Sequence, residues 1–187
     1  MEFELRIIEL HWADGSSDDP DDLCLHGKVF VRIGDEIVDE GIYRHACGTL
    51  RYWTVSAGAY RMLESVYSDH AAGYERHLLT CCGHFMYIDE EADKLFFIDC
   101  PYGLDWSVAH EGDTVTLTTE AKTQVTISLA DYRDIVFAFA DEIKAFYEKC
   151  SPKTPPLEDF EQLALERFWT DWERWRSQKT HKKPPSI

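Results

Sequence analysis

Residues 26–33 (HGKVFVRI) alternate Val29, Val31 and Ile33 with Phe30 and Arg32, the period-two pattern of a strand with one buried face. Residues 2–10 (EFELRIIEL) alternate in the same way before a short apolar run, which predicts an edge or half-buried strand. Residues 49–55 (TLRYWTV) are rich in aromatic and β-branched positions and read as a third strand. The period then changes. Tyr60, Leu63, Val66 and Tyr67 recur at spacings of three and four. They predict a helix over 57–69, with Ser56 as its N-cap and Gly73 as a stop. From 76 to 128 six short runs follow: HLLTC, HFMYID, KLFFID, LDWSVAH, DTVTLTT and QVTISL. Turn residues at Glu90–Asp93, Pro101–Gly103 and Glu111–Asp113 separate three of their junctions. Connections this short join antiparallel neighbours, so the runs predict a meander.

A second helix is expected from a cap at Asp131 to Lys149, with Ile135, Val136, Phe139, Ile143, Phe146 and Tyr147 on the stripe that covers the sheet. Ser151–Pro156 (SPKTPP) breaks it and forms a semi-stiff linker. A last amphipathic helix spans 157–178. Phe160, Ala164, Phe168, Trp172 and Trp175 line one side, with Leu165 and Trp169 beside them. Residues 179–187 are expected to be disordered. The reading is an α+β core domain over 1–150, in which a largely antiparallel meander sheet is covered on one face by helices, with the C-terminal helix as an appendage.

Charge adds to this picture. The 187-residue chain carries 35 acidic and 19 basic side chains, a net −16, and residues 1–40 alone hold 12 acids against 3 bases. Such a field repels nucleic-acid phosphates and attracts basic proteins. The run Asp14–Asp22 (DGSSDDPDD) is loop-forming and concentrates the charge on Asp14, Asp18, Asp19, Asp21 and Asp22. These five are the candidate contacts for a basic partner. An EF-hand register is absent from them. Trp169, Trp172 and Trp175 are the other candidate contacts, because interface anchors are enriched in Trp. They serve either docking on the chain's own domain or the interface of a homodimer or other partner. No apolar run approaches the ~20 residues that cross a bilayer, and MEFELRIIELHW lacks the features of a signal peptide. The protein is therefore expected to be cytoplasmic, off the membrane, with its six cysteines as thiols.

The sharpest chemical signal is a cysteine–histidine set: His45, Cys47, His77, Cys81, Cys82, His84 and Cys100. Zinc would need four such ligands converging at ~2.0–2.3 Å. Cys47, Cys82, His84 and Cys100 are the fallback set should three segments meet; with Cys81 or Cys82 as a nucleophile, the same region is the alternative reading as a cysteine-dependent enzyme. C-x-x-C is absent, as are G-x-S-x-G, H-E-x-x-H, the P-loop and G-x-G-x-x-G. No catalytic constellation is assigned, no cofactor is favoured, and a role without catalysis is preferred.

In size, acidity, the loops DGSSDDPDD and DEEAD, and a meander followed by the covering helix DYRDIVFAFADEIKAFYE, the first 150 residues resemble bacterial toxin-neutralising immunity proteins. That resemblance implies sequestration of a basic protein such as a toxin. It assigns no residue roles and does not extend to the C-terminal tryptophan helix.

Overall fold

A computed structural model describes residues 2–41, 52–73, 76–81, 85–98 and 102–178. The first strands are β1 (Phe3–His11), β2 (His26–Ile33), β3 (Glu36–Asp39) and β4 (Trp53–Thr54), followed by α1 (Val55–Ser65). Then come β5 (Leu79–Thr80), β6 (Phe85–Asp89), β7 (Lys94–Ile98), β8 (Gly103–Leu104), β9 (Trp106–Glu111), β10 (Thr114–Thr119) and β11 (Gln124–Ser128). The helices α2 (Leu129–Lys149) and α3 (Asp159–Ser177) complete the described elements. The fold is α+β, and every strand pair is antiparallel.

The pairing is divided among three sheets. The main one runs β1-β2-β4-β5-β8, with β3 also on β2. A three-stranded meander runs β11-β10-β9, and β6 with β7 forms a separate hairpin. The β1–β2 register, Phe3↔Ile33 to His11↔His26, slips once between Ile7 and Glu9. On the inner face Phe3, Leu5, Val29, Val31 and Ile33 are buried. The outer face carries charge ladders: Glu4 accepts from Arg6 and Arg32, and Arg6 lies 4.3 Å from the centre of the Phe30 ring. Gly34, at φ +59°, makes the turn into β3 that a side chain would strain.

The helix α1 is the centre of the molecule. All its residues except Glu64 are buried, beneath α2 on one side and α3 on another. It begins at Val55, so the strand expected to 55 ends at Thr54. Thr54 holds the N-cap position without a side-chain cap bond. Ser56, the expected cap, lies inside the helix instead. Its hydroxyl accepts the Leu25 N–H at 3.1 Å, a tertiary bond that the helix terminus would have competed for. A Cβ on Gly58 would sit 2.9 Å from the Leu78 carbonyl oxygen, so the backbone of α1 rests directly on the β5 segment. The cap of α2 likewise moves: Ser128 Oγ accepts the Asp131 N–H at 3.0 Å and donates to Asp131 Oδ2 at 2.6 Å, a reciprocal cap with Asp131 at the third helical position. From α2, Tyr132, Val136, Phe139, Ala140 and Ile143 enter the core, and Phe3 meets Tyr132 at 5.7 Å between ring centres.

Candidate functional site

The acidic loop is a built structure. Asp14 Oδ1 accepts the Ser16 N–H at 2.7 Å, and Asp19 Oδ1 accepts those of Asp21 and Asp22 at 2.9 and 3.3 Å. Asp22 takes the Ala13 N–H at 2.7 Å on one oxygen and the Cys24 N–H at 3.0 Å on the other. These are the local side-chain-to-backbone bonds that make aspartate a turn former. The proline-rich segment then straps the loop from outside. Asp18 accepts both the N–H and the hydroxyl of Ser151, at 3.0 and 2.6 Å; Thr154 N–H donates to the Pro20 carbonyl at 2.8 Å. Lys153 donates to the Asp19 carbonyl with its ammonium 3.0 Å from the centre of the buried Trp12 ring. That half-buried position lowers its pKa. Bonds from Ser16 and from Ser151 hold the carboxyls of Asp14 and Asp18 below the usual aspartate range. Asp14, Asp18 and Asp21 are exposed. Five carboxylates against the one ammonium of Lys153 leave this surface at a formal −4.

The tryptophan helix folds back on the domain. Trp172 is wholly buried and Trp175 nearly so, while Trp169 is half-buried. Tyr60 of α1 stacks on Phe168 at 5.4 Å and meets the edge of Trp175 at 4.8 Å; Trp169 packs on Tyr147 of α2 at 5.1 Å. The indoles of Trp172 and Trp175 therefore belong to the chain's own core. Phe160, placed on the same stripe by its spacing, is exposed, because the first turn of α3 reaches past the buried ring cluster.

At the centre of this packing is a carboxylate that interrupts the apolar stripe of α3. Asp171, 3% exposed, sits among Phe168, Trp172 and Trp175. Its Oδ2 accepts the Tyr60 hydroxyl at 2.7 Å and Arg167 Nε at 2.9 Å, and its Oδ1 accepts from Arg174 at 2.9 Å. Burial, and then the hydrogen bond to the Asp171 carboxylate, push the Tyr60 phenol up. Arg167 also reaches the β6–β7 turn, where it donates to the carboxylate and the carbonyl of Asp93, both at 2.8 Å. The turn residues Glu90–Asp93 are thus tied to α3.

A cleft opens here, with a volume near 220 Å³, between α1, the hairpin and α3. A second cavity of about 180 Å³ adjoins it and shares Glu64, Arg76 and Lys94. It reaches His70, whose Nε2 lies 2.8 Å from Asp105 Oδ1. Asp105 is buried and also accepts the Leu78 and Gly73 N–H groups, each at 3.0 Å. It thereby pins both ends of the chain between His70 and Leu78 to the residue that links β8 and β9.

The fallback metal set, Cys47, Cys82, His84 and Cys100, lies outside the described residues, as do His45 and the tail 179–187. Among the described residues no group of three or more metal-ligating side chains converges. Cys81 is disulfide-bonded, which corrects the expectation that all six cysteines are thiols. Pairing of β5 with β8 carries the chain past its neighbour strand at that point, with the Cys81 N–H on the Tyr102 carbonyl. Sequence spacing does not report this proximity. Cys24 and Cys150 are thiols, and burial pushes Cys24 up to about 12, which makes it a poor nucleophile. Among the described residues no helix is long and apolar enough to cross a membrane.

No protein-family model, no curated protein and no solved structure matches this chain.

Proposed function

We propose that this protein is an acidic binding module that covers a basic protein partner, such as a toxin, and performs no chemistry of its own. One observation carries the reading. The loop Asp14–Asp22 holds a formal −4 in a fixed shape, because its carboxylates are oriented by backbone N–H groups and the loop is strapped from outside by Ser151, Lys153 and Thr154. A preorganised charged surface loses little conformational freedom on binding and speeds encounter with an oppositely charged partner. Asp14, Asp18 and Asp21 would meet the partner first. Trp172 and Trp175 take no part, because they are buried.

The test is kinetic. A basic protein captured with the native chain is titrated against wild type and against a variant with Asp18, Asp19, Asp21 and Asp22 changed to Asn. Asparagine removes the charge and keeps one acceptor oxygen, which serves the Asp19 turn bonds, while Asp18 and Asp22 each give up one of two bonds; an unchanged unfolding midpoint in the variant shows that the fold is kept. The association rate of the variant should fall by roughly tenfold or more at low salt, and the two proteins should converge as salt is raised. Equal association rates at low salt would refute the loop as the recognition surface.

A further inference from the structure

The walls of the 220 Å³ cleft include Arg76, Lys94, Arg167 and Arg174 together with Glu64, Asp93 and Asp171. Four cations against three carboxylates give a formal +1, on a chain whose net charge is −16. The carboxylates are already neutralised by neighbours. Glu64 receives Arg76 at 2.8 Å on one oxygen and Lys94 at 3.4 Å on the other. Asp171 is bonded by Tyr60, Arg167 and Arg174, and Asp93 by Arg167. Arg167 commits all three of its nitrogens to these bonds.

Arg76 and Arg174 differ from it. Each gives one terminal nitrogen to a carboxylate, and a guanidinium carries five N–H donors in a rigid fork. Both border the same cleft as the Lys94 ammonium, so each guanidinium keeps N–H donors beyond its carboxylate bond beside a cleft that can admit a small acceptor. The paired carboxylates then act as props. Asp171 fixes Arg174 and Glu64 fixes Arg76, much as outer ligands orient a binding group. Trp175 and Leu95 add an apolar wall beside the charges.

We infer that this cleft is a binding site for a small phosphate-type dianion, held by Arg76, Lys94 and Arg174. A planar fork matches the paired oxygens of phosphate, and charge-assisted bonds of this kind are roughly twice as strong as neutral ones. The volume lies below the ~300 Å³ at which pockets for drug-sized ligands begin. The occupant is therefore inorganic phosphate or the phosphoryl group of a compact metabolite, with its carbon part against Trp175. The inference is independent of the acidic loop, which presents the opposite charge to a different class of partner.

Isothermal titration of the full chain with inorganic phosphate, and separately with glycerol phosphate, at constant ionic strength, tests it. Saturable one-site binding of either anion is expected, and tighter binding of glycerol phosphate would identify the metabolite form. Arg174→Gln and Lys94→Gln remove side chains that are 55% and 52% exposed, so the fold should survive both. Each should weaken binding by about tenfold, the loss of one charge-assisted contact. Arg32→Gln, on the outer face of β2, should leave it unchanged. The site is refuted if neither anion saturates, or if the Arg174 and Lys94 variants bind as tightly as wild type.

Discussion

Residues 150–154 and residues 164–175 both fasten the C-terminal arm to the core, the first through hydrogen bonds at the surface and the second through buried rings around a desolvated carboxylate. In the strap, Ser151 and Asp18 are exposed, and water competes for every bond they make. In the clamp, Trp172 and Phe168 leave solvent almost entirely, and Asp171 is held by two guanidiniums and a phenol. The difference separates stability from display. Burial holds the arm on, whereas the strap fixes the shape of an acidic surface at little energetic consequence. A charged partner would read the strap, and unfolding experiments would read the clamp.

The comparison is broken or sharpened most strongly by Trp172→Ala, which should cost about 4 kcal/mol in urea unfolding, as expected for emptying a large buried aromatic site. A loss under about 1 kcal/mol would mean that α3 does not contribute to the core. Asp171→Asn should cost about 3 kcal/mol, at the low end for a broken buried ion pair because Arg174 is half exposed. A double-mutant cycle with Tyr60→Phe should return a coupling near 1 kcal/mol or more. Ser128→Ala, at the cap of α2, should cost about 1 kcal/mol and serves as a helix-only reference.

Ser151→Ala should leave the unfolding midpoint almost unmoved yet speed amide exchange and proteolysis across 151–154. The same release should appear in acid. The folded-state pKa of Asp18 is lowered, so the strap is fully held above the ordinary aspartate value of about 4 and is lost as pH falls through the lower folded value. An unchanged exchange rate in Ser151→Ala would show that something else orders the loop.

Strict alternation made β2 legible to the residue, since Val29, Val31 and Ile33 all point into one core. The C-terminal end of α2 was equally plain, because proline follows within a few residues of Lys149. The start of α1 was not. Val55 has strand propensity, but a helix buried everywhere except at Glu64 selects for apolar bulk rather than for an amphipathic period, and Ser56 served Leu25 instead of the cap. Division of the strands into three sheets was hidden for a related reason. Turn spacing reports which strands are joined in sequence, whereas β5 pairs with β4 and β8. The cleft drew on Glu64, Arg76, Lys94, Arg167 and Arg174, which share no motif spacing. One legible signal did point to it: Asp171 interrupts the stripe of Phe168, Trp172 and Trp175, and an acid on a buried stripe must have partners. The acidic loop was legible as a loop but not as a strapped one, because the bonds from Ser151 and Thr154 cross more than 130 residues.

The bond from Tyr60 to Asp171 spans 111 residues. A chain emerging from the ribosome therefore completes α1 and the β6–β7 hairpin long before the helix that shields them exists. Until those last residues arrive, Tyr60 and Phe97 lack the cover of Phe168 and Trp175 and offer a sticky aromatic surface to other nascent chains. Premature termination before α3 should thus yield aggregates rather than a smaller working domain.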